Sequence, residues 1–169
     1  MTSDVVKAVT AIVPTTPDWE ILSTGVEARI LPVGAGLIDE VVASIPEPKI
    51  PLWHNPDKDR DEENPTDPAY LDALAAMERR KAVAATETLL MFGVELRELP
   101  SPETWLPRLR LLAKRGHLVL EDDLDDPMVL DLLYKKYIAV GVVDLIKIGQ
   151  RAGLSSRDVE AAAKTFPGK

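Results

Sequence analysis

Residues 67–93 read DPAYLDALAAMERRKAVAATETLLMFG, and this stretch decides the fold because it predicts a long helix with both ends marked. Asp67 is a favoured N-cap residue, and Pro68 suits the first helical position, where an N–H would have no partner in any case. Gly93 is a typical C-terminal stop, so we expect the helix to end at Phe92. Apolar residues recur along it at helical spacing, at Leu71, Leu74, Ala82, Ala85, Leu89 and Phe92.

Helical patterns also cover shorter segments on both sides of this stretch. Asp126-Pro127 repeats the Asp-Pro start, and the helix that follows is expected to run from Met128 to Arg151 without a break. The other expected helices lie at Asp4–Val13, Leu37–Ile45, Trp105–Lys114 and from Ser155 to Phe166. The predicted fold class is mainly α, with about five helices, a small N-terminal β-hairpin and a proline-rich acidic loop.

The predicted hairpin lies before the long helix. Residues 19–22 and 26–33 flank a three-residue connection that ends in Gly25, and glycine adopts the left-handed conformation there without steric cost. Apolar and charged residues alternate along the second run, which is typical of a half-buried strand. We therefore expect two antiparallel strands joined by this turn.

The segment from Pro46 to Pro68 separates the hairpin from the long helix. It contains six prolines in 23 positions, and Asp57–Glu63 is almost wholly charged. Because proline removes a backbone donor, we expect no regular element here. The predicted organisation is an N-terminal unit over residues 1–45, a linker loop over 46–68 and a helical body over 69–169, together forming one compact domain.

Composition limits the function classes. The 169 residues carry 20 basic and 28 acidic side chains, a net charge of −8, with no Cys and only two His. The absence of Cys excludes disulfides and thiol nucleophiles, and few groups titrate near neutrality. We expect a protein that is not an enzyme, uses no cofactor and no metal, and acts through its surfaces. No signal sequence or long apolar run is visible, so we expect a cytoplasmic protein with no membrane partner.

Three local patterns suggest ligands. Asp57, Asp59 and Asp61 alternate as the first ligands of an EF-hand do, but Glu62 stands where that loop needs Gly and Pro68 where it needs Glu. A solvated acidic loop is the better interpretation. His54 and His117 have no triad-like neighbours, and the acidic run at residues 121–126 is explained by the start of the helix that follows.

A helix-turn-helix pattern covers residues 148–159, with a small residue at Gly149 and a turn at Gly153. DNA binding therefore stays open as an alternative function. The remainder of the chain outside 145–169 carries a net charge of −11, which opposes approach to a phosphate backbone. Nucleic acid is accordingly not the expected partner.

Several stretches together resemble the tail assembly chaperones of long-tailed bacteriophages. These are Val26–Val33, Asn55–Asp61 with Asn64-Pro65, Ala69–Leu74, Leu89–Leu96, Leu132–Val140 and Ala161–Gly168. The resemblance implies a non-enzymatic protein that coats apolar helices of the tape measure protein and helps to recruit tail-tube subunits in the host cytoplasm. It leaves self-association open.

The partner-binding side chains expected from this resemblance are Leu89, Phe92 and Trp105, which would insert apolar groups against a partner helix. A structural virion protein of the phage tail or connector is the main alternative.

Overall fold

The computed structural model describes residues 18–120, 123–152 and 164. In chain order the elements are β1 (Glu20–Ile21), β2 (Glu27–Ile30), α1 (Ala35–Ala43), β3 (Leu52–Asn55), β4 (Arg60–Glu63), α2 (Pro68–Gly93), β5 (Val94–Leu96), α3 (Pro102–Lys114), α4 (Pro127–Tyr134), a π-helical segment (Lys135–Ala139) and α5 (Val142–Arg151). The mainly α fold with a small sheet near the N-terminus is confirmed. The helices expected at 4–13 and from 155 lie outside the described residues.

Helix α2 begins where its sequence predicts and ends one residue later than expected, at Gly93. The Asp67 carboxylate accepts hydrogen bonds from the backbone N–H groups of Ala69 (2.9 Å) and Tyr70 (3.2 Å), a cap that stabilises a helix by about 1 kcal/mol. At the other end Leu89 and Leu90 are fully buried in the core. Gly93 is the last helical residue, and a Cβ there would lie 2.9 Å from the Val33 side chain, so the helix end packs against neighbouring chain without room for a larger residue.

Strands β1 and β2 form the expected antiparallel hairpin, with Glu20 opposite Ala28 and Ile21 opposite Glu27. The sheet has a third strand that the sequence analysis missed, because β5 pairs antiparallel with β2 immediately after α2 ends. The predicted N-terminal unit and the predicted helical body therefore share one sheet and one core. None of the described helices has the length and apolar character needed to cross a membrane.

The expectation of no regular element between Pro46 and Pro68 is wrong. Strands β3 and β4 pair as a second antiparallel hairpin within this segment. All six prolines lie outside the two strands, at 46, 48, 51, 56, 65 and 68, so none removes a ladder hydrogen bond. Beyond the strands, the Asn64 N–H donates to the Pro51 carbonyl (2.8 Å) and extends the pairing.

The helix expected from Met128 to Arg151 is also corrected. It is divided into α4, the π-helical segment and α5, with extended backbone at Val140 and Gly141. A Cβ at Gly141 would collide with the Ser23 hydroxyl, so the break lies where the first hairpin packs against this part of the chain.

The carboxylate of Asp144 links the turn of the first hairpin to the break between the π-helical segment and α5. Asp144, which is only 6% exposed, accepts hydrogen bonds from the Ser23 N–H (3.0 Å), the Ser23 hydroxyl (2.5 Å) and the Gly141 N–H (2.9 Å). The Thr24 hydroxyl donates to the Ala139 carbonyl beside it. These contacts hold residues 23 and 144 together although they are 121 positions apart.

Glu20 adds an ion-paired contact between β1 and α5. Its carboxylate accepts hydrogen bonds from Lys147 and, at 2.9 Å, from Arg151. The Lys147 hydrogen bond and the positive charge of Arg151 hold the pKa of Glu20 below its usual value of 4.5, against the opposing effect of desolvation. This contact therefore favours the folded state only while Glu20 is ionised.

We predict that Glu20→Gln reduces the pH dependence of stability. Because the folded pKa of Glu20 lies below the unfolded pKa, its stabilisation is present above the unfolded pKa and is lost as the pH falls towards the folded one. Urea unfolding should show a loss of on the order of 1 kcal/mol at pH 7 and a smaller loss at about pH 3. Glu40→Gln, at an exposed residue with no ion pair to any described residue, is the control. An equal effect of Glu20→Gln at both pH values would contradict this.

Candidate partner-binding surface

The three side chains expected to bind a partner lie in different environments. Leu89 is 1% exposed and Trp105 is 4% exposed, so both belong to the core rather than to a surface. The Trp105 indole donates to the Pro100 carbonyl (3.1 Å), and its ring packs against Tyr134 at 5.3 Å between centroids. Phe92 is 53% exposed and is the only one of the three that solvent reaches.

An apolar groove lies between the end of α2 and the start of α4. It encloses about 210 Å³ and is lined by Met91, Pro127, Met128 and Asp131. Met91 is 41% exposed and Met128 is 71% exposed, although both are large apolar side chains. We call these four residues the methionine groove.

In the folded structure both methionines lie near helix ends, Met91 in the last turn of α2 and Met128 in the first turn of α4. Met91 is in the last turn of α2, one residue after the buried Leu90, and therefore points about 100° away from it around the helix axis. Met128 is in the first turn of α4, where the Asp126 carboxylate accepts a hydrogen bond from its N–H (2.8 Å). The Asp-Pro start of α4 thus fixes the position of Met128 beside α2.

Charged groups beside the groove are paired. The Asp131 carboxylate lies 2.5 Å from the ammonium of Lys135, whose side chain is only 5% exposed. Glu87, one turn before Met91 on α2, lies 2.5 Å from the ammonium of Lys136. Both lysines are in the π-helical segment, which therefore contributes two ion pairs at the border of the groove.

The residues predicted as alternative ligands do not form a shared site. Asp57, Asp59 and Asp61 lie in or beside the turn of the second hairpin, where His54 contacts Asp61 (3.2 Å) and Asp59 (3.5 Å). His117 is exposed after α3. Over residues 18–120 and 123–152, no three His, Asp or Glu side chains are grouped as a metal site would require.

The helix-turn-helix pattern lies mainly outside the described residues, which end at 152 in that region. Its first positions, Ile148 and Gly149, are buried in α5 and face the core. In the acidic run, Glu121 and Asp122 also lie outside the described residues, whereas Asp126 caps α4 as its position before Pro127 predicts.

Sequence reasoning missed Met91 and Met128. Their exposure depends on how α2 and α4 pack together, and no periodicity within either helix reveals that. The Asp-Pro start at 126–127 predicts that Met128 lies in the first turn of a helix but does not predict its exposure.

No protein-family model, curated protein or solved structure matches this chain. The fold and the groove define a mainly helical protein with an accessible apolar cleft of the size of one or two side chains.

We predict that Asp131→Ala destabilises the fold by about 1–3 kcal/mol, because it leaves the buried Lys135 ammonium without its partner. Urea denaturation measures the loss. The double variant Asp131→Ala/Lys135→Met should regain most of it, since an apolar side chain needs no partner. If Asp131→Ala unfolds at the same urea concentration as the parent protein, the ion pair does not support this segment.

Proposed function

We propose that this protein is a non-enzymatic tail assembly chaperone of a long-tailed bacteriophage, which binds helical segments of the tape measure protein. The observation that carries the proposal is the exposed methionine groove between α2 and α4. The resemblance of Leu89–Leu96 and Leu132–Val140 to tail assembly chaperones supports the choice of partner.

The groove has the chemistry of a surface that accepts varied apolar side chains. Methionine is unbranched and polarisable, so Met91 and Met128 can adjust to partners of different shape. A volume of about 210 Å³ is below the range of about 300–1,000 Å³ typical of small-molecule pockets. Side chains that project from a partner helix fit this cleft better than a metabolite does.

The charges around the groove favour an apolar partner. Asp131 pairs with Lys135 and Glu87 pairs with Lys136, so each of these two carboxylates keeps a basic partner when an apolar side chain binds beside it. Phe92, which follows Met91 at the same end of α2, adds another exposed apolar side chain. The surface therefore suits helix-in-groove recognition, in which anchors on one helix face insert into an apolar cleft.

The proposal places the protein in the host cell cytoplasm during assembly, where it keeps the apolar helices of the tape measure protein apart until tail-tube subunits are recruited. A structural component of the tail or connector is the second candidate. The exposed and internally hydrogen-bonded hairpin β3–β4 favours it, because such a feature can dock into a neighbouring virion protein.

We predict that Met91→Glu/Met128→Glu abolishes binding of the tape measure protein. Co-expression with the parent protein should hold the tape measure protein in the soluble fraction, and the double variant should lower that soluble amount at least about tenfold, as loss of a central apolar anchor does. Val143→Glu, at a residue that is 70% exposed on α5, is the matched control. Unchanged solubility with the double variant, or with no chaperone at all, would overturn the proposal.

Mass spectrometry of purified particles separates the two candidates. A chaperone should be absent from mature particles, whereas a tail or connector component should be present at a fixed copy number.

A further inference from the structure

The second hairpin presents an apolar residue among carboxylates on one of its faces. Residues directly opposite in an antiparallel pair share a face, so Leu52 and Glu63 lie on one face together with His54 and Asp61. Leu52 is 65% exposed, and the Asp61 side chain is 63% exposed. We call these four residues the hairpin face.

The hairpin as a whole is acidic. Between residues 57 and 63 it carries five acidic and two basic side chains. Both basic groups, Lys58 and Arg60, lie within 2.9 Å of the same carboxylate, that of Glu62 on the opposite face. On the hairpin face the His54 imidazole lies 3.2 Å from the Asp61 carboxylate, whereas neither Lys58 nor Arg60 pairs with Asp61 or Glu63. The face therefore has two carboxylates and one histidine, with no Lys or Arg of the hairpin beside them.

Internal hydrogen bonds hold the hairpin in shape. The buried Asn55 side chain donates to Glu62 (2.9 Å) and accepts from the Asp57 N–H (3.0 Å). None of its residues belongs to the main apolar core, so it is an exposed and preorganised element. A preorganised surface loses little conformational entropy when it binds.

The outward face of α3 is apolar and basic, and so complements the acidic hairpin face in charge. Its core side carries Trp105, Leu106 and Leu109. Its outer side carries the exposed residues Arg108, Leu111 and Leu112. The exposed Arg115, which caps the end of the helix, continues their i, i+3, i+4 and i+7 spacing. Leu111 is 52% exposed and Leu112 is 40% exposed. We call these four residues the α3 stripe.

The α3 stripe is basic as well as apolar. Residues 108–115 contain four basic side chains and no acidic one. In the part of the chain that the structure describes, none of these four basic side chains forms an ion pair. Among the described residues of one chain, no hydrogen bond or ion pair joins the hairpin face to the α3 stripe.

We infer that the hairpin face of one copy docks on the α3 stripe of a second copy of this chain. Leu52 would contact Leu111 and Leu112, while Asp61 and Glu63 would meet Arg108 and Arg115. Each surface combines exposed leucine with charged side chains, and the two sets of charges are opposite in sign, which disfavours like-with-like contact.

The occupant is a second copy because one chain carries both complementary surfaces. Each copy bears a net charge of −8, so general repulsion opposes association and only the local match favours it. Because two different patches meet, two copies that dock reciprocally form a two-fold dimer, and copies that dock head to tail form rings or open chains. The interface uses neither methionine of the methionine groove, so the two surfaces are independent.

Sedimentation velocity of the full chain tests this pairing. At about 50 mM salt the parent protein should form species larger than the monomer as concentration rises, and about 500 mM salt should weaken them because exposed charges are screened. Leu52→Ser/Glu63→Gln and Arg108→Glu/Arg115→Glu should each raise the dissociation constant at least about tenfold. Val143→Ala, an exposed apolar truncation on α5, should leave association unchanged.

Mixing the two double variants gives the sharpest result. The hairpin variant keeps its α3 stripe and the helix variant keeps its hairpin face, so an equal mixture has one intact interface and should stop at a dimer. Circular dichroism of each variant checks that its helix content equals that of the parent protein.

Three results would overturn the inference. They are a parent protein that stays monomeric at low salt, a variant that associates as the parent does, and a mixture of folded variants that stays monomeric. None of these bears on binding of the tape measure protein, so the proposed function would stand or fall separately.

Discussion

The buried carboxylate of Asp144 is the constraint on which the rest of the structure depends. A carboxylate that is 6% exposed is stable only when its oxygens accept hydrogen bonds, and here the donors are the Ser23 N–H, the Ser23 hydroxyl and the Gly141 N–H. Ser23 is in the turn of the first hairpin, whereas Gly141 begins α5. One side chain therefore joins the sheet to the C-terminal helices and fixes where the helical chain must break.

Local signals in the sequence predict much of this fold. Asp67-Pro68 and Asp126-Pro127 mark two helix starts, and both carboxylates cap their helices. The first hairpin follows from strand alternation and from Gly25, whose positive φ of 87° its turn requires. These features act over a few residues, so they can be read without knowledge of the tertiary structure.

The features that sequence reasoning missed depend on distant partners. Strand β5 exists because β2 offers a free edge to residues 94–96. The break at Gly141 exists because Ser23 packs there, and no pattern near residue 141 reports on residue 23. The hairpin β3–β4 was missed for another reason. A high proline content predicts an irregular segment, but here every proline lies outside the two strands, where it does not interrupt their pairing.

The same limit applies to the candidate site. Helical spacing shows that Leu89, Phe92 and Trp105 are apolar positions of their helices, but it does not show which of them another element covers. Packing buries Leu89 and Trp105 and leaves Phe92, Met91 and Met128 at the surface. Apolar surface that remains exposed after the core is complete, rather than the most apolar stripe, is what a partner can reach.

Amide hydrogen exchange at Ser23 and Gly141 tests the central constraint most directly. If Asp144 holds the two segments together, both amides open only when the fold opens, and they should exchange as slowly as the core amides of Leu89 and Leu90. Exchange at the rate of an exposed turn amide would show that the carboxylate does not join the sheet to α5.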